Sequence, residues 1–197
     1  VPAEVLVTSM KAHQRYFPLF DATGKLLPQF IGIRNGADNQ LNLVAAGNEK
    51  VLRARLSDAK FFYDEDRQHH LEKNLEKLKT VVFQDGLGSI YDKVQRITEV
   101  AKKIATLTNH EQEQELVERT AQLAKADLVS HMVYEFPELQ GIMGEKYALY
   151  SGEEQLVATG IREHYQPRFA HDDLPSSVTG LVVAIADKID TLVGYFG

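Results

Sequence analysis

The sequence predicts a mainly α-helical chain that begins with a small antiparallel β element. Two observations carry this prediction. Over residues 1–47, short runs rich in Val, Phe and Ile alternate with turn residues, which is typical of short strands. From Asn48 onward, apolar residues recur every three or four positions, which is the helical period. No repeat, low-complexity tract or linker interrupts the 197 residues. We therefore predict two parts, a β element over residues 1–47 and a helical bundle over residues 48–197.

The β element is predicted to contain three short strands. Residues Glu4–Ser9 alternate weakly and contain several Val and Thr residues, whereas Arg15–Asp21 and Gln29–Arg34 are short apolar runs. Such runs bounded by turn residues are typical of strands. The separator Ala22-Thr23-Gly24-Lys25 favours a turn, because Gly24 can adopt a positive φ. The last two runs are therefore expected to pair antiparallel.

The helical part is predicted from apolar seams and from residues that start or end helices. Asn48 is the predicted N-cap of the first helix, and Ser89 is the predicted N-cap of a later one. The break before Ser89 is set by two glycines, and Pro137 disfavours helical geometry at its preceding residue. The predicted helices run from Asn48 onward, then over His69–Lys79, Ile90–Leu107, Asn109–Phe136, Met143–Tyr150, Glu153–Tyr165 and Ser177–Gly194.

The composition excludes several classes of function. The chain contains no cysteine, which excludes disulfides, zinc–thiolate sites and thiol catalysis. A net charge of −6 argues against non-specific coating of nucleic acid, so such contact requires a local basic patch. No segment approaches the roughly 20 apolar residues of a membrane helix, and no phosphate-binding glycine loop is present. We expect a cytoplasmic protein with no membrane partner.

A metal site is the first candidate for chemistry. In a continuous helix, Asp127, His131 and Glu135 would lie at i, i+4 and i+8 on one face. Asp187 and Asp190 are the candidates for the opposite side of the site. Carboxylate and imidazole ligands suit Mg, Mn or Fe. The alternative is a salt-bridged polar core, because a buried carboxylate is costly unless it is paired. The candidate cationic partners are Lys125, Lys188 and Arg162.

Acid–base catalysis and RNA binding are the two other candidates. His69-His70 and His171-Asp172 are the histidine sites considered for catalysis, but no nucleophile signature accompanies them. RNA contact is indicated where basic and aromatic residues alternate, since phosphates attract Arg and Lys and unstacked bases attract aromatic rings. The candidate RNA-binding residues are Lys50, Arg53, Lys60 and Arg67 on one helix flank, and Lys11 and Arg15 near the start.

Several long runs resemble a known family. KADLVSHMVYEFPELQGIMGEKYAL, EHYQPRFAHDDLPSS and AIADKIDTLVGYFG, together with VTSMKAHQRYFPLFD, FIGIRNG and NEKVLRARLSDAKFFYDEDR, are similar in sequence and order to the beta subunit of bacterial glycyl-tRNA synthetase. The resemblance covers nearly the whole chain. In that family the beta chain is several times longer, so this chain is expected to be an internal piece of it.

The resemblance implies a ligase of protein biosynthesis that joins glycine to its tRNA at the expense of ATP. In that family, glycine, ATP and Mg bind to a separate alpha subunit, and the beta chain mainly holds tRNA and supports a heterotetramer of two alpha and two beta chains. The expected partners are therefore tRNA(Gly), the alpha subunit and a second beta subunit. No cofactor and no catalytic residue is expected in this chain itself.

The middle of the chain also resembles an HD-type helical domain, which is named for metal phosphohydrolases with an H…HD…D ligand pattern. Asp127 matches the aspartate of the HD pair, but Ala126 precedes it, and Lys102-Lys103 stands where the first histidine would fall. Asp187 matches the last aspartate. The resemblance therefore implies a degenerate, metal-free site at Asp127 and Asp187, in which a lysine could pair with Asp127.

These observations predict a piece of the beta subunit that positions tRNA, through its acceptor arm, against the catalytic subunit. Two alternatives stay open. One is an HD-type phosphohydrolase that still binds metal and is active. The other is a purely structural module that contacts only other protein subunits.

Overall fold

The computed structural model describes residues 1–36 and 39–196, and the chain is mainly α-helical, as predicted. It forms two compact units, Val1–Asp66 and Arg67–Gly197. The sequence places a boundary after residue 47. In the structure the long helix that follows the β element belongs to the first unit, so the division lies after Asp66. Within the described ranges, no helix is long and apolar enough to cross a membrane.

Within its described residues, the first unit contains two helices and one strand pair. Its elements are α1 (Ala3–Thr8), which continues as a π-helical turn (Ser9–His13), β1 (Phe17–Phe20), β2 (Leu26–Ile31) and α2 (Leu41–Asp66). β1 and β2 pair antiparallel, which confirms the predicted pairing. The connection is a turn in which Gly24 has a φ of 82° and the Asp21 carboxylate accepts backbone N–H bonds from Thr23 and Lys25 at 2.8 and 2.9 Å.

Two local predictions in the first unit are wrong. The strand predicted over Glu4–Ser9 is helical, because Val5, Ser9 and Met10 are the buried positions and their spacing is that of one helix face. Burial outweighs the preference of Val and Thr for strands. The long helix begins at Leu41 rather than at Asn48, so Asn48 is not an N-cap. The roughly 1 kcal/mol cost of a glycine inside a helix at Gly47 is tolerated in a helix of 26 residues.

The second unit consists of seven short and long helices and one small hairpin within the described residues. Its elements are α3 (Asn74–Leu78), β3 (Val82–Gln84), β4 (Gly88–Ser89), α4 (Ile90–Leu107), α5 (Gln114–Leu123), α6 (His131–Glu135), α7 (Ile142–Tyr150), α8 (Gln155–Glu163) and α9 (Val178–Phe196). The bounds predicted for α4 are confirmed, and those of α7, α8 and α9 agree within about two residues. The segment His69–Lys79 forms a 3₁₀ turn, Leu71–Lys73, before the short α3.

The single helix predicted over Asn109–Phe136 is wrong. The chain forms α5, a 3₁₀ turn over Ala126–Val129, and then α6. Ser130 is extended, with a ψ of 151°, and its hydroxyl accepts a hydrogen bond from the backbone N–H of Val133 at 3.2 Å. Ser130 therefore starts a new helix as an N-cap instead of continuing α5. Asn109, with a φ of 60°, lies outside α5 altogether.

The core of the second unit lies where α4, α5 and α9 pack together. Its buried residues are mostly alanine and valine, and this lets the three helix backbones approach closely. They are Ile97, Ala101 and Ala105 from α4, Val117, Ala121 and Ala124 from and beside α5, and Val182, Val183 and Ala186 from α9. Side chains that directly follow this core on α5 and α9, together with one that precedes it on α4, form the site described below.

Helix α4 is fixed at its start by a capping box. The Ser89 hydroxyl accepts a hydrogen bond from the Asp92 N–H at 3.2 Å, and the Asp92 carboxylate accepts one from the Ser89 N–H at 2.7 Å. We expect Ser89→Ala to lower the free energy of unfolding by about 1 kcal/mol, measured by urea denaturation. Ser89→Thr, which keeps the hydroxyl, is the control. Equal losses in both variants would contradict a capping role.

Candidate functional site

A cluster of charged side chains is buried at one end of the α4–α5–α9 core. Its members are Lys93 on α4, Lys125 just after α5, and Asp187 and Asp190 on α9. Their side chains are 5%, 7%, 14% and 6% exposed, respectively. Because an isolated buried charge is very unfavourable, such a cluster is stable only if its members neutralise one another.

The contacts within the cluster provide this neutralisation. The Lys125 ammonium donates a hydrogen bond to Asp187 Oδ2 at 2.8 Å. The Lys93 ammonium lies 2.9 Å from Asp187 Oδ1, an ion pair without hydrogen-bond geometry. It also donates to Asp190 Oδ2 at 3.1 Å and to the Thr191 hydroxyl at 2.7 Å. Asp187 is therefore held between two lysines, one on α4 and one just after α5.

Arg96 closes the cluster on its outer side. Its guanidinium donates to both carboxylate oxygens of Asp190, from Nε at 2.6 Å and from Nη2 at 3.3 Å. Its Nη1 donates to the backbone carbonyl of Leu87 at 3.0 Å, in the turn between β3 and β4. A two-pronged arginine–carboxylate contact is among the stronger ion pairs. It ties the hairpin and α4 to α9.

Burial and the neighbouring charges act in opposite directions on the two central groups. Burial opposes ionisation of Asp187, but the positive charge of Lys125 still holds the pKa of that carboxyl below its ordinary value. Burial lowers the pKa of Lys125, and the negative charge of Asp187 works against this shift. For each of the two groups, attraction to the other therefore opposes the effect of burial.

Two uncharged groups complete the surroundings of Lys125. Its ammonium lies over the ring of Tyr165, 4.1 Å from the ring centre. His164 is fully buried, and burial followed by the charge of Lys125 lowers its pKa well below the ordinary value. Its Nδ1 lies 2.6 Å from the Ile161 carbonyl, which can only accept, so Nδ1 carries the proton. The other ring nitrogen, Nε2, is buried without a hydrogen-bond partner.

Asp127 lies in a different environment from the one predicted. It is fully buried in the 3₁₀ turn, and its Oδ2 accepts backbone N–H bonds from Gly141 at 2.7 Å and Gly144 at 3.0 Å. These donors belong to the start of α7. Burial raises the pKa of Asp127 to about 6, against the lowering effect of the two backbone bonds. The carboxyl therefore anchors α7.

The predicted stack of Asp127, His131 and Glu135 is wrong. The break after α5 puts His131 and Glu135 on α6, where His131 is exposed and Glu135 is half-buried. Among the residues that the structure describes, no group of three or more His, Asp or Glu side chains is arranged to hold a metal ion.

The predicted lysine–aspartate pair exists, but with another aspartate. Lys125 contacts Asp187, not Asp127, whose hydrogen bonds come from backbone groups. Of the other predicted cationic partners, Lys188 donates to the Gln166 carbonyl at 2.9 Å, and Arg162 lies 3.5 Å from Glu145. Lys102, the predicted place of the first histidine, lies 3.5 Å from both Glu99 and Glu118.

Three of the six predicted RNA-binding residues lie on α2. Lys50, Arg53 and Lys60 are exposed and fall within about 80° around the helix by the 3.6-residue period. Lys60 forms an ion pair with Asp64, which reduces its availability to a phosphate.

The other three predicted residues lie elsewhere. Lys11 and Arg15 are exposed near β1. Arg67 belongs to the second unit, where its guanidinium lies over the ring of Tyr150 at 4.0 Å. RNA binding by all six residues stays a prediction.

A groove of about 1290 Å³ lies in the first unit beside these α2 residues. Arg53 and Lys60 line it together with Arg34, and so do Tyr16 and Phe30. The two aromatic rings are stacked with their centres 4.6 Å apart. Most of the lining is aliphatic, and the basic and aromatic side chains among it are of the kinds that single-stranded nucleic acids contact.

Sequence reasoning missed Lys93, Arg96 and His164. The only local signal for Lys93 is a lysine directly beside the apolar seam of α4, next to Val94 and one turn before Ile97. His164 follows the buried Ile161 by three positions. Neither pattern reveals which group on a distant helix the side chain meets.

Comparison with known proteins gives a uniform result. A sequence model for the family described as "Glycyl-tRNA synthetase beta subunit" matches residues 1–197. The chain is 55% identical over 197 residues to the glycine–tRNA ligase beta subunit of Bacillus subtilis (strain 168). It is 58% identical over 198 residues to that of Desulfitobacterium hafniense (strain DSM 10664 / DCB-2), and 56% over 198 residues to that of Synechocystis sp.. All of this chain is covered in each comparison, but only 29%, 29% and 27% of the relatives. The chain thus spans less than a third of their length.

Proposed function

Since the chain belongs to the glycyl-tRNA synthetase beta-subunit family, we propose that it is part of a glycine–tRNA ligase and helps to bind and position tRNA(Gly) for aminoacylation. In this proposal the reaction, with its ATP and Mg, takes place on an alpha subunit. The present chain supplies no catalytic residue and no cofactor site. Its partners are tRNA(Gly), the alpha subunit and a second beta subunit in a cytoplasmic heterotetramer.

The observation that carries the tRNA-binding role is the basic flank of α2 beside the groove. Lys50 and Arg53 are exposed one turn apart, and the groove next to them contains the stacked pair of Tyr16 and Phe30. Cationic side chains neutralise phosphates, and aromatic rings stack on unpaired bases. Because the whole chain carries a net charge of −6, RNA binding requires such a local concentration of positive charge.

The charge-reversed variant Lys50→Glu/Arg53→Glu tests this role. In the full-length alpha–beta enzyme, we expect the Kd for tRNA(Gly) to rise about tenfold or more. The slope of log Kd against log salt concentration should fall by about two, since two phosphate contacts are lost. The measurement is a binding titration over a range of salt concentrations.

Arg55→Glu is the matched control for this experiment. Arg55 lies two positions after Arg53, about 200° around the helix axis, and is also exposed. It should leave both the Kd and the salt slope unchanged. Equal effects of the control and the test variant, or an unchanged salt slope in the test variant, would contradict the assignment. Unchanged tRNA binding in the test variant would favour a module that contacts only protein.

The arrangement in the second unit does not favour an active HD-type phosphohydrolase. Asp187 faces the ammonium groups of Lys93 and Lys125. An ammonium has no lone pair to offer a metal, and both lysines are buried, so the groups nearest this carboxylate compete with a metal for it.

A further inference from the structure

The HD resemblance implies a divalent metal, and the residues around Asp187 do not fit one. The nearest charged groups to this carboxylate are two ammonium ions, Lys125 at 2.8 Å and Lys93 at 2.9 Å. Neither can ligate a metal, and both repel one. Asp127 is the other carboxylate that the resemblance implies. Its Oδ2 accepts hydrogen bonds from backbone N–H groups at the start of α7.

The order of the charged residues along the chain matches the H…HD…D ligand pattern if its adjacent pair is placed one residue earlier, at Lys125-Ala126 instead of Ala126-Asp127. The pattern requires a first residue on one helix, an adjacent pair on a second segment, and a final aspartate. Lys93 on α4, Lys125-Ala126 after α5 and Asp187 on α9 occur in that order, and the two lysines meet the final aspartate. Lys102 does not, because it pairs with Glu99 and Glu118.

We propose that Lys93, Lys125 and Ala126 occupy the places of the first histidine, the second histidine and the paired aspartate, and that the two ammonium groups are a built-in substitute for the metal ion. Two lysines supply two positive charges, the same charge as a divalent ion. They are fixed by covalent attachment to α4 and to the end of α5. The contact of Lys93 with Asp190 and Thr191 extends this link along α9.

The surroundings of Lys125 support this proposal. Lys125 shares its buried environment with His164, whose ring nitrogen Nε2 has no hydrogen-bond partner. A histidine that donates from Nδ1 to a backbone carbonyl and leaves Nε2 free has the arrangement found in metal-bound histidines. The positive charge of Lys125 acts on this buried histidine and, together with burial, keeps its pKa well below the ordinary value. In this proposal, the contacts of Lys93 and Lys125 with Asp187 hold α4, the end of α5 and α9 together independently of divalent ions.

The test rebuilds the metal site in the full-length polypeptide. The triple variant Lys93→His/Lys125→His/Ala126→Asp restores the pattern in the proposed register. The matched control is the double variant Lys102→His/Ala126→His. It keeps Asp127 and restores the ligand pattern at the positions that the sequence alone suggests. After chelator treatment, both proteins and the parent are dialysed against Mn²⁺, and bound metal is measured by elemental analysis. We expect about one Mn²⁺ per chain in the triple variant only.

The outcomes separate the two registers. A triple variant that keeps the parent's circular dichroism spectrum but binds no Mn²⁺ would overturn the proposal, as would equal binding by the control.

Should the triple variant fail to fold, hydrogen exchange of the α9 amides decides. We expect exchange in the parent to be unchanged by EDTA or Mn²⁺. Exchange should accelerate at least about tenfold in Lys125→Met, with partial recovery in Lys125→Arg. Metal-dependent protection in the parent, or no change in Lys125→Met, would overturn the proposal. The result is independent of tRNA binding.

Discussion

Asp187→Leu is expected to lower the free energy of unfolding of the second unit by about 3–5 kcal/mol, because it leaves the buried ammonium of Lys125 without its counter-ion. Lys125 is 7% exposed at its side chain, so water cannot replace the lost carboxylate. Lys93 keeps its bond to Asp190 and is affected less. The loss is measured by urea denaturation at pH 7, followed by a signal from the second unit. Asp173→Leu, at an exposed position, is the control and should change little.

A double variant separates the lost ion pair from other effects of the substitution. In Lys125→Met/Asp187→Leu both charges are removed, and a buried pair can be replaced by apolar side chains at little cost. We expect the double variant to be more stable than Asp187→Leu alone. If the two single losses simply add, the two side chains do not interact, and the ion-pair explanation is wrong.

Local sequence signals were sufficient for α4 but not for the segment after it. The bounds of α4 could be predicted because Ser89 and Asp92 cap it and its apolar seam is regular. The helical pattern continues beyond α5 without a glycine or proline until Pro137, so sequence alone gives no reason for a break. The break accompanies hydrogen bonds that Asp127 accepts from the N–H groups of Gly141 and Gly144, which lie beyond Pro137 and outside any helical spacing from Asp127.

The same limit applies to the charged cluster. The sequence identifies Asp187 and the candidate partner Lys125, because a buried acid requires a positive partner. It does not identify which acid meets which base, since Lys125 and Asp187 are 62 positions apart and Lys93 and Asp190 are 97 apart. Only the packing of α4, α5 and α9 brings them together. A register based on spacing therefore favours Lys102, whereas the structure brings Lys93 to the cluster.

Asp127→Ala is expected to destabilise the second unit by about 2–6 kcal/mol, since the N–H groups of Gly141 and Gly144 each lose a buried acceptor at about 1–3 kcal/mol. Both donors lie at the start of α7, so that helix should exchange its amide hydrogens faster than α4. Asp127→Asn is the matched control. Its side-chain oxygen can still accept from both groups, so its loss should be clearly smaller. Equal losses in the two variants would contradict the anchoring role.

The pH dependence of stability gives a second measurement on Asp127. Its pKa of about 6 in the fold exceeds the ordinary value of 3.8 because of burial, so the native state binds more protons than the unfolded chain between these values. The stabilisation of the fold by proton binding to Asp127 is therefore present at low pH and lost as the pH rises through 6. Lys125 and Tyr165 are the titratable neighbours that interact with it, and both are present in the parent and in Asp127→Asn. Relative to Asp127→Asn, the parent should gain roughly 1 kcal/mol of unfolding free energy between pH 7 and pH 5. A difference between the two proteins that does not change with pH would show that the carboxyl is ionised throughout this range.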